Sequence, residues 1–352
     1  MTCARSRVPP PTTETALSKV EALMQRYARG GRIDRVGAMA LEQLATGGRR
    51  FRARLALLAC AALDVPERDA VYWAAAVELL HNATLIHDDI QDQDTTRRGT
   101  PTLWVKHGYA QAINAGDFML MLPHLVVEDS MSRVRDELSF ALARAATNVV
   151  RGQASEMSLR QAGRFDWESY LAAARGKTGA LLGLPIQGAL RLAGRSAERA
   201  QRIADLYLEV GVLFQLQDDL VDLYGDKGRG EIGCDIYEGK VSALIVAQLE
   251  RSPQSRPLVL DILDLPRPEK TAKDVHLLKN LFERSGAKDA VVARIASLRS
   301  EIMNAECLRE EPMLWSVTDQ LVHLTLAPVE HLLSPSQPVA PEAAQALSEA
   351  TA

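Results

Sequence analysis

The chain is poor in cysteine and in aromatic residues. Its 352 residues include four cysteines, Cys3, Cys60, Cys234 and Cys307, with no paired spacing among them. They give no zinc module or disulfide framework and suit a reducing, cytoplasmic setting. Aromatic side chains make up only 5% of the sequence. Alternating strand-like runs closed by turn dipeptides are missing, which argues against a β-rich fold. No apolar run approaches the roughly 18 residues of a membrane span, so no transmembrane segment is expected. The start of the chain, Met1 to Pro11, lacks the apolar stretch of a secretory signal. A basic excess is lacking too: 41 lysines and arginines against 45 acidic residues give a net charge of −4. No basic stripe interleaved with aromatics offers itself to nucleic acid.

What is present is helix. Alanine and leucine recur at helical spacing almost throughout. The pattern predicts helices over 14–30, 34–46, 51–63, 67–91, 110–125, 130–159, 167–192, 198–224, 240–251, 273–285, 288–305 and 315–333. Between them, 97–101 reads as a basic turn, 225–239 as a glycine-rich charged loop and 265–269 as a Pro-rich linker. Residues 1–14 and 334–352, rich in Pro, Thr, Ser and Ala, are expected to be disordered. No linker inside 15–333 is long enough to divide it, so that span is expected to be one all-α domain, a helical bundle. Bundles build their sites from side chains on facing helices.

Two of the predicted helices carry the same acidic signature. The first reads Leu85-Ile86-His87-Asp88-Asp89-Ile90-Gln91-Asp92, and the second Phe214-Gln215-Leu216-Gln217-Asp218-Asp219-Leu220-Val221-Asp222. Residues four apart share a helix face, so Asp88 projects with Asp92, and Asp218 with Asp222. Crowded carboxylates repel unless a cation neutralises them. Hard oxygen donors that leave room for water and phosphate oxygens suit magnesium. One such triplet alone is commonly a solvated face. Two copies at one spacing, both set among Leu, Ile, Val and Phe, point to a magnesium clamp for a diphosphate.

Cationic counterparts are also present. Gly47-Gly48-Arg49-Arg50-Phe51-Arg52 puts arginines at a helix start, where the planar guanidinium and the helix N-terminus both favour phosphate. Asp94-Thr95-Thr96-Arg97-Arg98-Gly99 follows the first triplet closely enough to fold back over it. Arg175-Gly176-Lys177-Thr178-Gly179 and Glu238-Gly239-Lys240 add lysines beside glycines. The Gly-Lys-Thr is not a nucleotide loop, because the long loop's first glycine and the preceding strand are missing. His81 stands two helical turns before Asp88 on the same side.

Over roughly 47–245 these motifs resemble those of trans-isoprenyl diphosphate synthases of the polyprenyl synthetase family, the geranylgeranyl diphosphate synthases among them. The resemblance implies an isoprenoid-synthase-type all-α bundle with a central active-site cavity, usually a homodimer. It implies head-to-tail condensation of isopentenyl diphosphate with an allylic diphosphate: dimethylallyl, geranyl or farnesyl. It also implies three Mg2+ ions per site, with Mn2+ able to substitute, held by Asp88, Asp89, Asp92, Asp218, Asp219 and Asp222. Arg97, Lys177 and Lys240 resemble the residues that hold the allylic diphosphate. Arg49, Arg52, His81 and Arg98 resemble those that hold isopentenyl diphosphate. Thr178 and Gln215 resemble polar groups at the reacting centre, so the catalytic set is Lys177, Thr178, Gln215 and Lys240. Three departures stand out. Arg49 replaces a usual lysine, Ala53 a common proline and Gly230 a frequent lysine, with Lys227 and Arg229 as candidate substitutes for the last.

Product length is read along the first acidic helix. At 1.5 Å per residue, one turn matches about one isoprene unit. Ala83, where short-chain members carry an aromatic floor, leaves the first turn open. Leu80 and the small residues Ala74 to Ala76 follow, and Trp73, 15 residues before Asp88, offers a floor about 22 Å down. That depth suits a twenty-carbon product. Packing in the core or in a dimer interface is the alternative for Trp73. A synthase of longer chains, a terpene cyclase on the same fold and a non-catalytic synthase subunit are the competing functions. Asp222 and the arginines weigh against the cyclase, and six retained aspartates against the silent subunit.

Overall fold

Two long helices carry the acidic triplets, and the other elements pack around them. The computed structural model describes residues 12–31, 34–130, 132–225 and 232–333. In chain order the first half comprises α1 (Thr12–Arg29), α2 (Arg35–Ala45), α3 (Phe51–Ala62), α4 (Glu67–Gln91), a hairpin of β1 (Thr96–Arg97) and β2 (Thr100–Pro101), α5 (Leu103–His107), α6 (Tyr109–Glu128) and α7 (Arg135–Ser158). Then come α8 (Trp167–Ala174), a π-helical turn (Arg175–Gly179), α9 (Ala180–Leu192), α10 (Ala197–Tyr224), α11 (Cys234–Glu238) and α12 (Ala243–Arg251). The last elements are α13 (Arg256–Asp264), α14 (Ala272–Ser285), α15 (Ala287–Met303), α16 (Glu306–Arg309), α17 (Pro312–Leu326) and α18 (Glu330–Leu333).

The sequence explains most of these boundaries. Asp34 caps α2 by accepting the Gly37 N–H, Asp166 caps α8 through Ser169, and Ser196 caps α10 through Arg199. Thr271 and Asp274 form a reciprocal capping box at the start of α14. α4 runs 25 residues, about 37 Å, with Glu67 and Asp69 complementing the positive end of its dipole. Its residues Ala74, Ala75 and Ala76 are wholly buried, and their small size lets α1, α3, α6 and α9 approach from several sides. One contiguous apolar core extends from Ala16 to Val329.

Several differences from the sequence expectations have local causes. The helix expected from residue 130 begins at Arg135, because the Ser130 hydroxyl bonds back to the Val127 carbonyl and closes α6. The helix expected over 167–192 contains the π-helical turn. The glycine-rich span 225–239 contains α11, and the helix after it starts at Ala243 rather than 240. α5 and α13 lie in stretches for which the periodicity predicts no helix. α13 opens with Arg256 and then Pro257, whose fixed φ and missing N–H suit the first turn of a helix. α17 begins at Pro312 for the same reason, and a 3-10 turn at Ala327–Val329 separates it from α18. At the N-terminus, α1 includes Thr12, two residues before the expected start. Residues 1–11 and 334–352, and with them the expected disorder, lie outside the described residues, as do Lys227, Arg229 and Gly230. Among the described residues no helix is long and apolar enough to cross a membrane.

Candidate active site

The ends of α4 and α10 meet at one cavity of about 370 Å³. Asp88 and Asp92 line it from α4, and Asp218 and Asp219 from α10. The other two aspartates are turned to protein partners. Asp89 is buried and accepts the Arg97 guanidinium at 2.5 Å. Asp222 is buried and accepts the backbone N–H of Asp235 at 3.2 Å, in the first turn of α11. Asp219, though it borders the cavity, is heavily engaged. It takes the Tyr170 hydroxyl at 2.8 Å, the Ala243 N–H at 2.7 Å and the Gln215 amide at 2.9 Å. Six carboxylates were expected to hold metal; four of them border this cavity, while Asp89 and Asp222 face donors on other segments. Adjacent residues point about 100° apart, so Asp89 cannot share the Asp88 face. Asp219 and Asp222 instead anchor the starts of α12 and α11, the segments that close the cavity.

Each cation expected to meet the allylic diphosphate reaches this cavity already paired. Lys177 Nζ lies 2.5 Å from Glu156, and Lys240 Nζ lies 2.5 Å from Glu238 and 3.5 Å from Asp92. Arg97 lies against Asp89. Eight carboxyl groups border the cavity against five cationic side chains. Burial pushes the Asp88 carboxyl up to about 6 against the pull of Lys177, with Asp92 and Glu156 adding to the rise. Burial likewise raises Asp219 to about 6, opposed by the three hydrogen bonds it accepts. Burial would depress Lys240, but Asp92, Glu238 and Asp235 hold it well above the usual lysine value.

The π-helical turn places Lys177 and Thr178. Such single-turn bulges recur at functional sites. Close helix packing sustains it: a Cβ at Gly211 would run into the backbone of Gly179, and one at Gly152 into that of Gly176 and Lys177. Thr178 then donates to the Gln215 side-chain oxygen at 3.1 Å, joining the turn to α10. Beneath this pair, Leu85, Val149, Leu181 and Phe214 give the cavity an apolar wall.

A second cavity, of about 500 Å³, adjoins the first and is built differently. Arg49, Arg50, Arg52, Arg98 and His81 line it, with Glu78 as its one carboxyl among the described residues. Arg52, His81 and Arg98 border both cavities. Arg52 Nη1 approaches His81 Nε2 at 3.0 Å. Burial, then Arg52, Arg97, Arg98 and Arg50, hold His81 well below the usual histidine value. The ring is therefore neutral, accepts from Arg52 through Nε2, and carries its proton on Nδ1. Arg98 occupies the hairpin turn. Arg98 and Gly99 both have positive φ, 51° and 76°, the pattern of a two-residue I′ turn. Its guanidinium donates to the Gly47 carbonyl and lies where a Cβ of Gly48 would stand. Arg50 is buried and commits its donors to the Leu44 and Gly47 carbonyls and to Glu21. It locks the loop, whereas Arg49 remains exposed at the cavity mouth.

The family model described as Polyprenyl synthetase matches residues 34–281. The chain belongs to the polyprenyl synthetase family. It is 32% identical over 282 residues to the short chain isoprenyl diphosphate synthase of Methanothermobacter thermautotrophicus, covering 77% of this chain and 86% of that one. It is 31% identical over 270 residues to the geranylfarnesyl diphosphate synthase of Aeropyrum pernix, covering 74% and 83%. A crystal structure of geranylgeranyl pyrophosphate synthase superposes with a TM-score of 0.80 at 26% identity, covering 90% of this chain and 97% of that one. The protein is a trans-prenyltransferase with the all-α fold of that family.

Several side chains of this prenyltransferase's site escaped the sequence reading. Glu156 and Tyr170 carried no motif signal, since one charged residue on α7 and one tyrosine on α8 look ordinary until the helices pack. Glu238 stood in the Glu-Gly-Lys run but was read for its lysine. Glu78 lies ten residues before Asp88 on α4, where a buried acid among Val77, Leu79 and Leu80 was the available signal. The residues taken to set product length are all fully buried: Ala83, Leu80 and Trp73. The cavity's α4 lining is His81, Thr84, Leu85 and Asp88, with Asp92 at the helix end, and Ala83 is not among it. Trp73 donates its indole N–H to the Pro185 carbonyl at 3.0 Å and faces Gly188, bridging α4 and α9.

Proposed function

We propose that this prenyltransferase condenses isopentenyl diphosphate with an allylic diphosphate in a magnesium-dependent reaction, and that its product is geranylgeranyl diphosphate. The excess of carboxyl groups over cations in the 370 Å³ cavity carries the reading. A diphosphate entering there would add negative charge to an already acidic wall. Divalent cations resolve that conflict, and oxygen donors with room for water and phosphate fit magnesium, with manganese able to replace it. Among the described residues no cluster of three or more His, Cys, Asp or Glu side chains is disposed to hold an ion alone. Asp88, Asp92 and Asp218 would hold the ions directly. Asp89, Asp219 and Asp222 would fix the surrounding segments, and three ions per site is the family expectation. Bound magnesium would supply positive charge against the departing diphosphate.

The chain's own groups divide the remaining work. Lys177, Lys240 and Arg97 bind and orient the allylic diphosphate by exchanging their carboxylate partners for phosphate oxygens. Arg49, Arg52, Arg98 and the His81 Nδ1–H hold isopentenyl diphosphate in the second cavity without metal. The allylic C–O bond breaks as a C–C bond forms between the allylic carbon and the terminal alkene carbon of isopentenyl diphosphate. A proton then leaves the carbon that restores the double bond, and the released diphosphate accepts it. Thr178 and Gln215 place oxygen dipoles beside the developing positive charge, while Leu85, Val149, Leu181 and Phe214 keep water out. The tail extends down α4 past Ala83 toward Trp73. Exposed Ile113, Met121 and Leu125 on α6, with Phe140 and Val150 on α7, support a homodimer, and a cytoplasmic setting suits the free thiols of Cys60 and Cys307. The test is turnover of purified protein with magnesium, isopentenyl diphosphate and each allylic primer in turn, products being sized by mass spectrometry. A dominant product of twenty-five carbons or more would replace the geranylgeranyl assignment.

A further inference from the structure

α3 starts without a cap of its own. Its N-cap residue is Arg50, in the left-handed region at φ 47°, and no side chain of the preceding loop accepts from the first turn. Gly47 and Gly48 before it also have positive φ, so the chain enters the helix through a run of unusual backbone. The first N–H groups of any helix lack intrahelical partners, and the third is the one an N-cap side chain ordinarily satisfies. Here that group is the N–H of Ala53. It is buried, and it donates to Glu78 Oε2 of α4 at 3.0 Å. Glu78 is itself buried; the Asn82 amide donates to its carbonyl at 2.8 Å and approaches its Oε1 at 3.4 Å. The same carboxyl lies at the edge of the arginine cavity.

We propose that Glu78 is the positioning residue of that cavity: it caps α3 from the neighbouring helix and so fixes the frame from which Arg49 and Arg52 face the ligand. The inference rests on the reading of this cavity as the isopentenyl diphosphate site. It also gives Ala53 a role. An alanine at this position brings an N–H that a buried helix start must satisfy, and Glu78 is the group that satisfies it. Glu78 acts through α3 and does not touch substrate. Its geometry predicts that the hydrogen-bond acceptor matters more than the charge.

The experiment compares Glu78→Ala, Glu78→Gln and Glu78→Asp with the native protein, each with and without Ala53→Pro. Ala53→Pro deletes the donor in the first turn, where no intrahelical bond is lost. Loss of a helix cap predicts that Glu78→Ala raises the Michaelis constant for isopentenyl diphosphate about five- to tenfold. The constant for the allylic primer should be unmoved. Glu78→Gln keeps an acceptor in place and should restore most of the affinity; Glu78→Asp is too short to reach Ala53 and should not. In the Ala53→Pro background the cost of Glu78→Ala should largely vanish, as a double-mutant cycle for one shared bond requires. Amide hydrogen exchange in substrate-free protein gives an independent reading: the Ala53 N–H should exchange faster in Glu78→Ala and stay protected in Glu78→Gln. Equal costs in both backgrounds, or a Gln variant as impaired as the Ala variant, would overturn the capping role. If Arg52→Ala leaves the isopentenyl diphosphate constant unchanged, the substrate reading falls instead. The exchange of Ala53 then still decides whether Glu78 caps α3.

Discussion

The two cavities, each proposed above to hold a diphosphate, are lined by an opposite balance of charge. The one between α4 and α10 is bordered by eight carboxyl groups and five cations, and its lysines are already paired with Glu156 and Glu238. The one at the start of α3 has four arginines and a neutral histidine around a single carboxyl among the described residues. A guanidinium cluster attracts phosphate as it stands. A carboxylate cluster does so only after cations are added. The comparison teaches that one substrate should depend on metal for binding and the other should not.

Chelation tests that contrast most directly. Exhaustive removal of divalent metal, or Asp88→Ala or Asp218→Ala, should lower turnover about a thousandfold or more, by analogy with loss of transition-state charge stabilisation. Helical content should be unchanged by circular dichroism. Equilibrium binding of labelled isopentenyl diphosphate should survive the same chelation. If both substrates lose affinity together, the division of labour between the cavities is wrong.

A smaller effect should separate the cations. Arg52→Ala should raise the Michaelis constant for isopentenyl diphosphate about tenfold or more, as expected for a lost charge-assisted hydrogen bond, and leave the primer's constant nearly alone. Lys240→Ala should do the reverse. Steady-state kinetics with each substrate varied in turn gives the split, and matching shifts in both constants for both variants would merge the two sites.

The third prediction asks whether the acidic cavity extends down α4. Ala83 is wholly buried on α4 and outside the cavity lining, so a ring placed there blocks the product only if the proposed path of the tail runs along this helix. Ala83→Phe should shorten the product to about fifteen carbons or fewer, at one isoprene per helical turn. Trp73→Ala should lengthen it. An unchanged product from Ala83→Phe would mean that the tail does not follow α4.

The smallest effect is on stability. His81 is held below its ordinary value, so the unfolded chain binds its proton more readily than the folded one. Stability should therefore fall as pH drops below the unfolded value of about 6.5, by at most about 1.4 kcal/mol per pH unit. Denaturant titrations of His81→Gln should show a shallower acid slope than the native protein. An unchanged slope would mean that His81 already titrates normally and that the arginines around it do not act on it.

Much of this was legible before folding. Helical periodicity located α4 at its observed bounds and most of the other helices within a few residues, because apolar spacing and capping residues are local signals. The π-helical turn was not legible. Arg175 to Gly179 has no local feature that forbids an ordinary helix; the turn coincides with the close packing of Gly152 on Gly176 and of Gly211 on Gly179. Nor did the sequence separate Arg50 from Arg49 and Arg52. Three nearby arginines look equivalent until the loop folds and one of them turns inward to the Leu44 and Gly47 carbonyls.

The sequence by itself determined that the protein is helical, that two helices present carboxylates at a four-residue spacing, and that arginines stand at a third helix start. Those are consequences of periodicity along one chain. Tertiary structure alone decided which carboxylates face the cavity and which hold protein. Asp89 meets Arg97, Asp219 meets Tyr170 and Ala243, and Glu78 meets Ala53, and only packing brings these partners together. A carboxylate's role depends on the donor opposite it. That donor lies on another element, so spacing along one helix cannot specify it.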